Sequence, residues 1–415
     1  MTDAASFDLI IAGGTVVDGS GAPGVRADVG VRGELIAAVG DLAAAEARQP
    51  IDATGRTVIP GIVDCHAHSD LNLLADPRGA SKIMQGVTTE LNGQCGLGIF
   101  PVHPQDREAL ANAVSFIAAP VQWDWVSAGD YLARLEDARP AYSCAAMVGH
   151  SAVRAWALGF EQRPPSAGEL ETMCDALREC FDAGCVGVSF GLAYAPGSFA
   201  GEEEIVALLR VAAEHERLVS VHVRNEGGEL LEAIGEFAAM CRQAGEGLRL
   251  QIDHLKCSGE RWWGRMDQAL ALIEELRAGG LDIAYDSYPY TAGSRHLSGS
   301  LPDWVHAGGA AQMLERIAQP ETRERLGGEL EEWREGQRVH NPFELPFDRM
   351  TVTGVASEDN QPLVGMSIQQ IAQARGDDPA DVFLDLLIEE RGHVNAVLFS
   401  MSEEDMNQAL AHPLG

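Results

Sequence analysis

Lysine is almost missing from these 415 residues. Only Lys82 and Lys256 occur, so 28 of the 30 basic residues are arginine. Positive charge of any kind is scarce. The 62 acidic residues leave a formal net charge of −32, which repels nucleic acid and anionic membranes and makes neither an expected partner. An anionic small molecule would therefore need locally placed cations. No apolar run approaches the roughly 20 residues of a membrane span. The N-terminus, M-T-D-A-A-S-F-D, is acidic and has no basic region ahead of an apolar stretch, so no signal peptide is expected. The eight cysteines form no C-x-x-C pair, and without a secretory signal they are expected as free thiols in a reducing cytoplasm.

What is present is enough apolar residue, 46% of the chain, for one large domain plus a smaller one. Residues 7–60 read as short strands joined by glycine-rich turns, a small antiparallel sheet. From about residue 58 short apolar runs alternate with helical periodicity. The expected strands are Val58–Cys65, Val87–Gly93, Cys144–Val148, Gly184–Ser189, Val219–Val223, Leu248–Asp253 and Leu281–Asp286. Helices such as Gly168–Ala183, Glu202–Glu216 and Asp267–Ala278 lie between them. Seven β/α units in succession predict an α/β fold with a parallel sheet, fitting a TIM-like (β/α)8 barrel with one strand still to find. Residues 295–348 break the rhythm as a mostly helical insertion. The domain expectation is 1–57 for the small β domain and 58–415 for the barrel.

Barrels gather function at the C-terminal ends of their strands, and metal-capable residues recur there. V-I-P-G-I-V-D-C-H-A-H-S-D places His66 and His68 two residues apart, on one face if the strand continues. Cys95 ends the second strand, His222 the fifth and His254 the sixth. Imidazoles with one thiolate suit Zn²⁺, which can keep a position for water and bring its deprotonation near pH 7. A single histidine is more often an ordinary core or surface residue; the close pair is what shifts the balance. His150 has only its position in its favour and is left out of the ligand set. His215, His306, His340, His393 and His412 read as ordinary. Cys174, Cys180 and Cys185 read as packing residues.

With these residues in place the chain resembles the amidohydrolase superfamily, and within it the N-acyl-D-amino-acid deacylases, or D-aminoacylases. The motifs are D-L-I-I-A-G-G-T-V-V-D-G-S-G, P-G-I-V-D-C-H-A-H-S-D, G-V-T-T-E-L-N-G-Q-C-G, V-G-H-S-A-V-R, G-V-S-F-G-L-A-Y-A-P-G-S-F-A, V-H-V-R-N-E-G, D-H-L-K and Y-D-S-Y-P-Y-T-A-G-S. The resemblance runs from about residue 7 to the last. It implies an amidohydrolase-type zinc barrel, with a small β-sandwich domain built from both chain ends. The implied reaction is hydrolysis of N-acyl-D-amino acids to a carboxylate and a free D-amino acid. It further implies that a cysteine replaces the carboxylated lysine that bridges two metals in many relatives. Neither Lys82 nor Lys256 ends the fourth strand, which agrees. By resemblance Cys95, His222 and His254 hold a tight zinc, and His66 and His68 belong to a weaker second position. Lys256 and Tyr288 are implied for the substrate α-carboxylate, with Ser294 in a further binding position. Tyr194 and Arg224 are weaker candidates. Arg295 has two readings: a cation for an acidic substrate side chain, or the partner of a surface carboxylate.

One departure stands out. The family continues past its H-P motif into a final strand ending S-D-G, whose aspartate ligates metal and serves as general base. The sequence ends at His412–Gly415, so this strand and its aspartate are expected beyond it, and the general base is unassigned. Two other readings stay open: a cyclic-amide hydrolase of hydantoinase or dihydroorotase type, which usually carries the bridging lysine, and an inactive metal-binding scaffold. The side chain and acyl group preferred, the number of metals and the oligomeric state are left open.

Overall fold

The computed structural model describes residues 6–337 and 343–415; His340 lies outside them. By contacts the chain divides into two units. One comprises the residues up to Val63 with Met84–Thr89, the other Asp64–Ile83 with Glu90–Gly415.

The first unit carries a five-stranded sheet from Ser6–Val16, Val25–Arg32, Leu35–Gly40, Glu46–Asp52 and Thr57–Val58. It is mixed rather than antiparallel as expected. The first three strands are antiparallel neighbours, joined by residues 17–24 and by a two-residue turn at Gly33 and Glu34. The chain then crosses from the edge strand Leu35–Gly40 to the far side of Ser6–Val16. There Glu46–Asp52 and Thr57–Val58 both pair in parallel. Phe7, Ile10 and Val29 are buried, whereas Leu35, Ile36 and Val39 are exposed.

A second sheet has seven strands in sequential spatial order: Ile62–Asp64, Val87–Asn92, Ser143–Gly149, Gly187–Gly191, Leu218–His222, Arg249–Ile252 and Asp282–Tyr285. Each corresponds to one expected strand. From Ser143–Gly149 onward the pairings are parallel. Val188, Val219, Leu250 and Ile283 lie side by side across four strands, and all are buried. Helices cover the sheet between strands, including Ala167–Asp182, Glu202–Glu214 and Met266–Ala278. The first of these starts at a capping box, with Ser166 and Glu169 satisfying each other's backbone N–H groups. The expected strand Val58–Cys65 is broken: only Thr57–Val58 and Ile62–Asp64 are extended and paired. Pro60 between them has no N–H to give to a ladder. After the last helix, Glu403–Ala411, the Leu414 carbonyl accepts a bond from Tyr285 N at 3.3 Å.

The residues after the seventh strand build their own core. Helices Asp303–His306, Ala310–Ile317 and Pro320–Arg334 occupy the segment read as helical. The sequence reading missed what frames them: a three-stranded antiparallel sheet with Val394–Leu398 between Gly293–His296 and Met350–Val355. Leu297, Met350, Phe383 and Val394 belong to this second apolar cluster.

Candidate metal centre and substrate cavity

The chemistry-bearing residues follow the C-terminal ends of the parallel strands. His222 closes Leu218–His222, and His66, Cys95, His254 and Asp286 come one to three residues after their strands. The turn carrying Cys95 is tightly specified. Gly93 and Gly96 have positive φ, and a Cβ on Gly96 would sit 2.2 Å from Gly191 N. Ser189 holds both sides of the turn: its hydroxyl donates to the Gly93 carbonyl and accepts from Gly96 N at 3.0 Å. Gln94 donates to the Cys65 carbonyl at 2.9 Å and accepts from Ser220 at 2.7 Å. Cys95 and His254 themselves have φ of 55° and 34°, conformations that L-residues avoid unless the surroundings impose them.

These turns converge on three overlapping clusters, two of them sharing Cys95 and the third made of His66 with the carboxylates of Asp253 and Asp286. Cys95, His222 and His254 bring one sulfur and two imidazole nitrogens within 4.8 Å of one another, and His66, His68 and Cys95 do the same. Cys95 Sγ lies 3.3 Å from both His66 Nε2 and His254 Nε2. His222 is buried, and among the described residues neither of its ring nitrogens has a hydrogen-bond partner, Glu226 Oε2 standing 3.6 Å from Nε2. A buried polar atom without a partner calls for an explanation, and a sulfur–imidazole set of this geometry suits zinc. Burial opposes ionisation of Cys95, but His254 and His66 overcome it and hold the thiol well below its usual range, favouring the thiolate that ligates metals. Burial and Lys256 disfavour protonated His254, yet Cys95 and Glu226 push it up to about 9.

His66 and His68 do not sit on a strand, as their spacing suggested, since the strand ends at Asp64. Their rings nevertheless face the same cavity, with centroids 5.3 Å apart. His150 is held elsewhere. Its Nε2 lies 2.8 Å from Glu204 Oε1, and Glu204 also pairs with Arg154, all three buried. Cys174, Cys180 and Cys185 are core residues. His306 and His393, read as ordinary, line the cavity wall.

The cavity above the metal candidates has a volume of about 470 Å³, and Lys256, Tyr288, Ser294, Tyr194 and Arg295 all line it. Lys256 is buried against Glu226 at 2.5 Å, and its ammonium lies 2.8 Å from His254 Nδ1. Burial disfavours that charge, but Glu226 and Tyr288 hold it above the ordinary lysine range. Lys82 instead pairs with Asp64. Arg295 pairs with Glu344, and its guanidinium lies 5.8 Å from the centroid of the Tyr194 ring. Arg224 is not brought into this cavity. It donates to the carbonyls of Ser198 at 3.0 Å and Ala200 at 3.1 Å, and lines a neighbouring cavity. Sequence reasoning missed three carboxylates at the site: Asp253 and Asp286, both buried, and the half-buried Glu226. All lie inside or beside the quoted motifs V-H-V-R-N-E, D-H-L-K and Y-D-S-Y, and that adjacency was the available signal. Among the described residues no helix is long and apolar enough to cross a membrane.

Comparison with known proteins shows the family of the chain. A profile described as the amidohydrolase family matches residues 49–318. The N-acyl-D-glutamate deacylase of Alcaligenes xylosoxydans xylosoxydans is 41% identical over 291 residues, covering 70% of this chain and 58% of that protein. The N-acyl-D-glutamate deacylase of Bordetella bronchiseptica, solved with zinc and a phosphonate mimic of the tetrahedral intermediate, superposes with a TM-score of 0.80. It is 31% identical, with 99% of this chain and 75% of that one covered. A D-aminoacylase structure described as having a binuclear metal centre gives a TM-score of 0.76 at 32% identity, covering 97% and 73%. The chain spans 58–60% of the length of the curated deacylases it matches.

Proposed function

The chain belongs to the amidohydrolase family, in its D-aminoacylase branch, and from that premise we propose that it serves zinc-dependent hydrolysis of N-acyl-D-amino acids. The observation that carries the reading is the meeting of Cys95, His222 and His254 beneath a cavity whose wall holds Lys256 and Arg295. Cys95, His222 and His254 would hold the tighter zinc, and His66 and His68 the weaker one. Bound there, zinc supplies Lewis acidity toward the acyl carbonyl and toward water. Lys256 and Tyr288 bind the substrate α-carboxylate, and Glu226 keeps Lys256 charged and aimed. Ser294 and Tyr194 shape the wall around the bound substrate. Arg224 is left out, since it is turned to the Ser198 and Ala200 carbonyls and lines a neighbouring cavity. Arg295 meets the substrate side chain, which favours acidic D-amino acids such as D-glutamate, displacing Glu344. The fold that supports this site is read as an eight-stranded barrel with a β-sandwich to which the N-terminal sheet contributes.

Metal analysis combined with an enantiomer screen tests the reading. The chain should copurify with zinc, bind N-acetyl-D-glutamate in preference to its L-enantiomer, and lose deacylation on chelation and regain it with zinc. Turnover in a metal-free sample, or preference for the L-series, would sink it.

A further inference from the structure

Asp286 lies at the end of the seventh strand and touches both halves of the metal site. Its Oδ2 is 2.9 Å from His66 Nδ1 and accepts from Gln251 Nε2 at 2.5 Å. Its Oδ1 accepts from the backbone N–H of His254 at 2.7 Å. The carboxylate is buried, so water does not compete for these bonds. Asp253 is the other carboxylate beside His66, but its nearer oxygen is 3.7 Å from Nδ1, beyond hydrogen-bond range.

The consequences follow from imidazole chemistry. A neutral imidazole has one N–H and one lone pair, and fixing the proton on Nδ1 leaves the lone pair on Nε2. His66 Nε2 is the nitrogen that faces Cys95 Sγ, at 3.3 Å. The backbone bond acts on a different residue. His254 has a φ of 34°, and a bond to its N–H helps hold the turn that carries its ring to Cys95.

We propose that Asp286 is a positioning residue for the metal site. It commits His66 to the weaker metal position through Nε2 and braces the His254 turn of the tighter one, so a single carboxylate ties the two positions together. This rests on the metal reading above. The Asp253 and Asp286 carboxylates also lie with His66 within 4.8 Å of one another, and Asp286 is assigned the positioning role rather than that of a ligand.

All three partners of this carboxylate are N–H donors. Asp286→Asn therefore sets its NH2 either against the His254 N–H or against both His66 and Gln251; the Gln251 amide can rotate to accept, whereas His66 loses its acceptor. Zinc affinity, read by competition with a chromophoric chelator, should fall about 10–100-fold at the weaker position, the usual effect of removing a ligand's outer partner. The tighter position should change by less. The two positions are separated by their successive transitions in the competition titration, since Cys95 belongs to both sulfur-containing clusters and a thiolate-to-cobalt band would report either. If Asp286→Asn does not fold, Gln251→Met removes one donor from the same oxygen and should weaken the second position several-fold. Equal losses at both positions, or no loss at either, would overturn the proposal. A wild-type chain that takes up no zinc would instead overturn the metal reading together with it.

Discussion

The two corners of the candidate metal site are built in opposite ways. The Cys95, His222 and His254 corner draws on three separate strand ends, and its precision lies in the backbone. Two of its residues have positive φ, glycines allow close approach of neighbouring chain, and Ser189, Gln94 and Ser220 fasten the cysteine turn. The His66 and His68 corner comes from one segment after a three-residue strand. Its residues are half-buried, and the orientation of His66 comes from a side chain, Asp286. A site fixed by its main chain loses little freedom when it captures an ion, whereas one fixed by a neighbouring side chain stays adjustable. The difference accounts physically for one tight and one weaker metal in the proposed function.

The strongest way to break that contrast is at its centre. Cys95→Ala removes the sulfur shared by the two histidine–cysteine clusters. Zinc affinity at the tight position should fall by more than roughly a hundredfold, beyond what loss of an outer partner alone causes, and deacylation should fall with it. Full zinc loading of Cys95→Ala, measured by metal analysis, would show that the histidines suffice and that the corners are not distinct.

Gly96→Ala tests the backbone half of the comparison without touching a ligand. The added methyl would meet Gly191 N at 2.2 Å, at a residue with φ of 67°. Strained positions of this kind cost on the order of 1–3 kcal/mol, and the close contact adds to that. The folded variant should bind the tight zinc more weakly while the second position changes less. A variant whose stability and zinc affinity both match wild type would remove backbone preorganisation from the account.

Lys256→Met sharpens the boundary between metal site and substrate site. A charge-assisted hydrogen bond contributes about 1.5–3 kcal/mol, so KM should rise roughly 10–100-fold, with a smaller change in kcat. Because Lys256 Nζ is 2.8 Å from His254 Nδ1, zinc affinity has to be read alongside. If zinc affinity drops as far as KM rises, Lys256 belongs to the tight corner rather than to the substrate.

How far the sequence anticipated this site depends on what each residue relies upon. The parallel strands were legible because strands buried on both faces read as short apolar runs, and the strand Gly187–Gly191 is buried throughout. The ligand-type residues were legible because they cluster just after those runs. Side-chain parity served less well. His222 is the last residue of its strand, so the rule that i and i+2 share a face stops before Arg224, which turns toward Ser198 and Ala200. Asp286 was hidden because its partners, His66 and His254, are remote in sequence and meet only when the sheet forms. The three-stranded sheet around Val394–Leu398 was hidden for the same reason: its short strands are separated by long helical stretches.

The smallest expected effect concerns Arg295, the residue with two readings. It lines the cavity, yet it pairs with Glu344, so an acidic substrate side chain has to exchange with a carboxylate already present. The net gain is then the difference between two similar ion pairs, about 1 kcal/mol for a partly exposed pair. Arg295→Gln should raise KM for N-acetyl-D-glutamate about fivefold and leave that for N-acetyl-D-leucine nearly unchanged. Glu344→Gln removes the internal competitor and should lower KM for the acidic substrate by a similar factor. If both substrates respond alike to both variants, the Arg295–Glu344 pair is part of the cavity wall, and selection of the side chain has to be sought elsewhere along it.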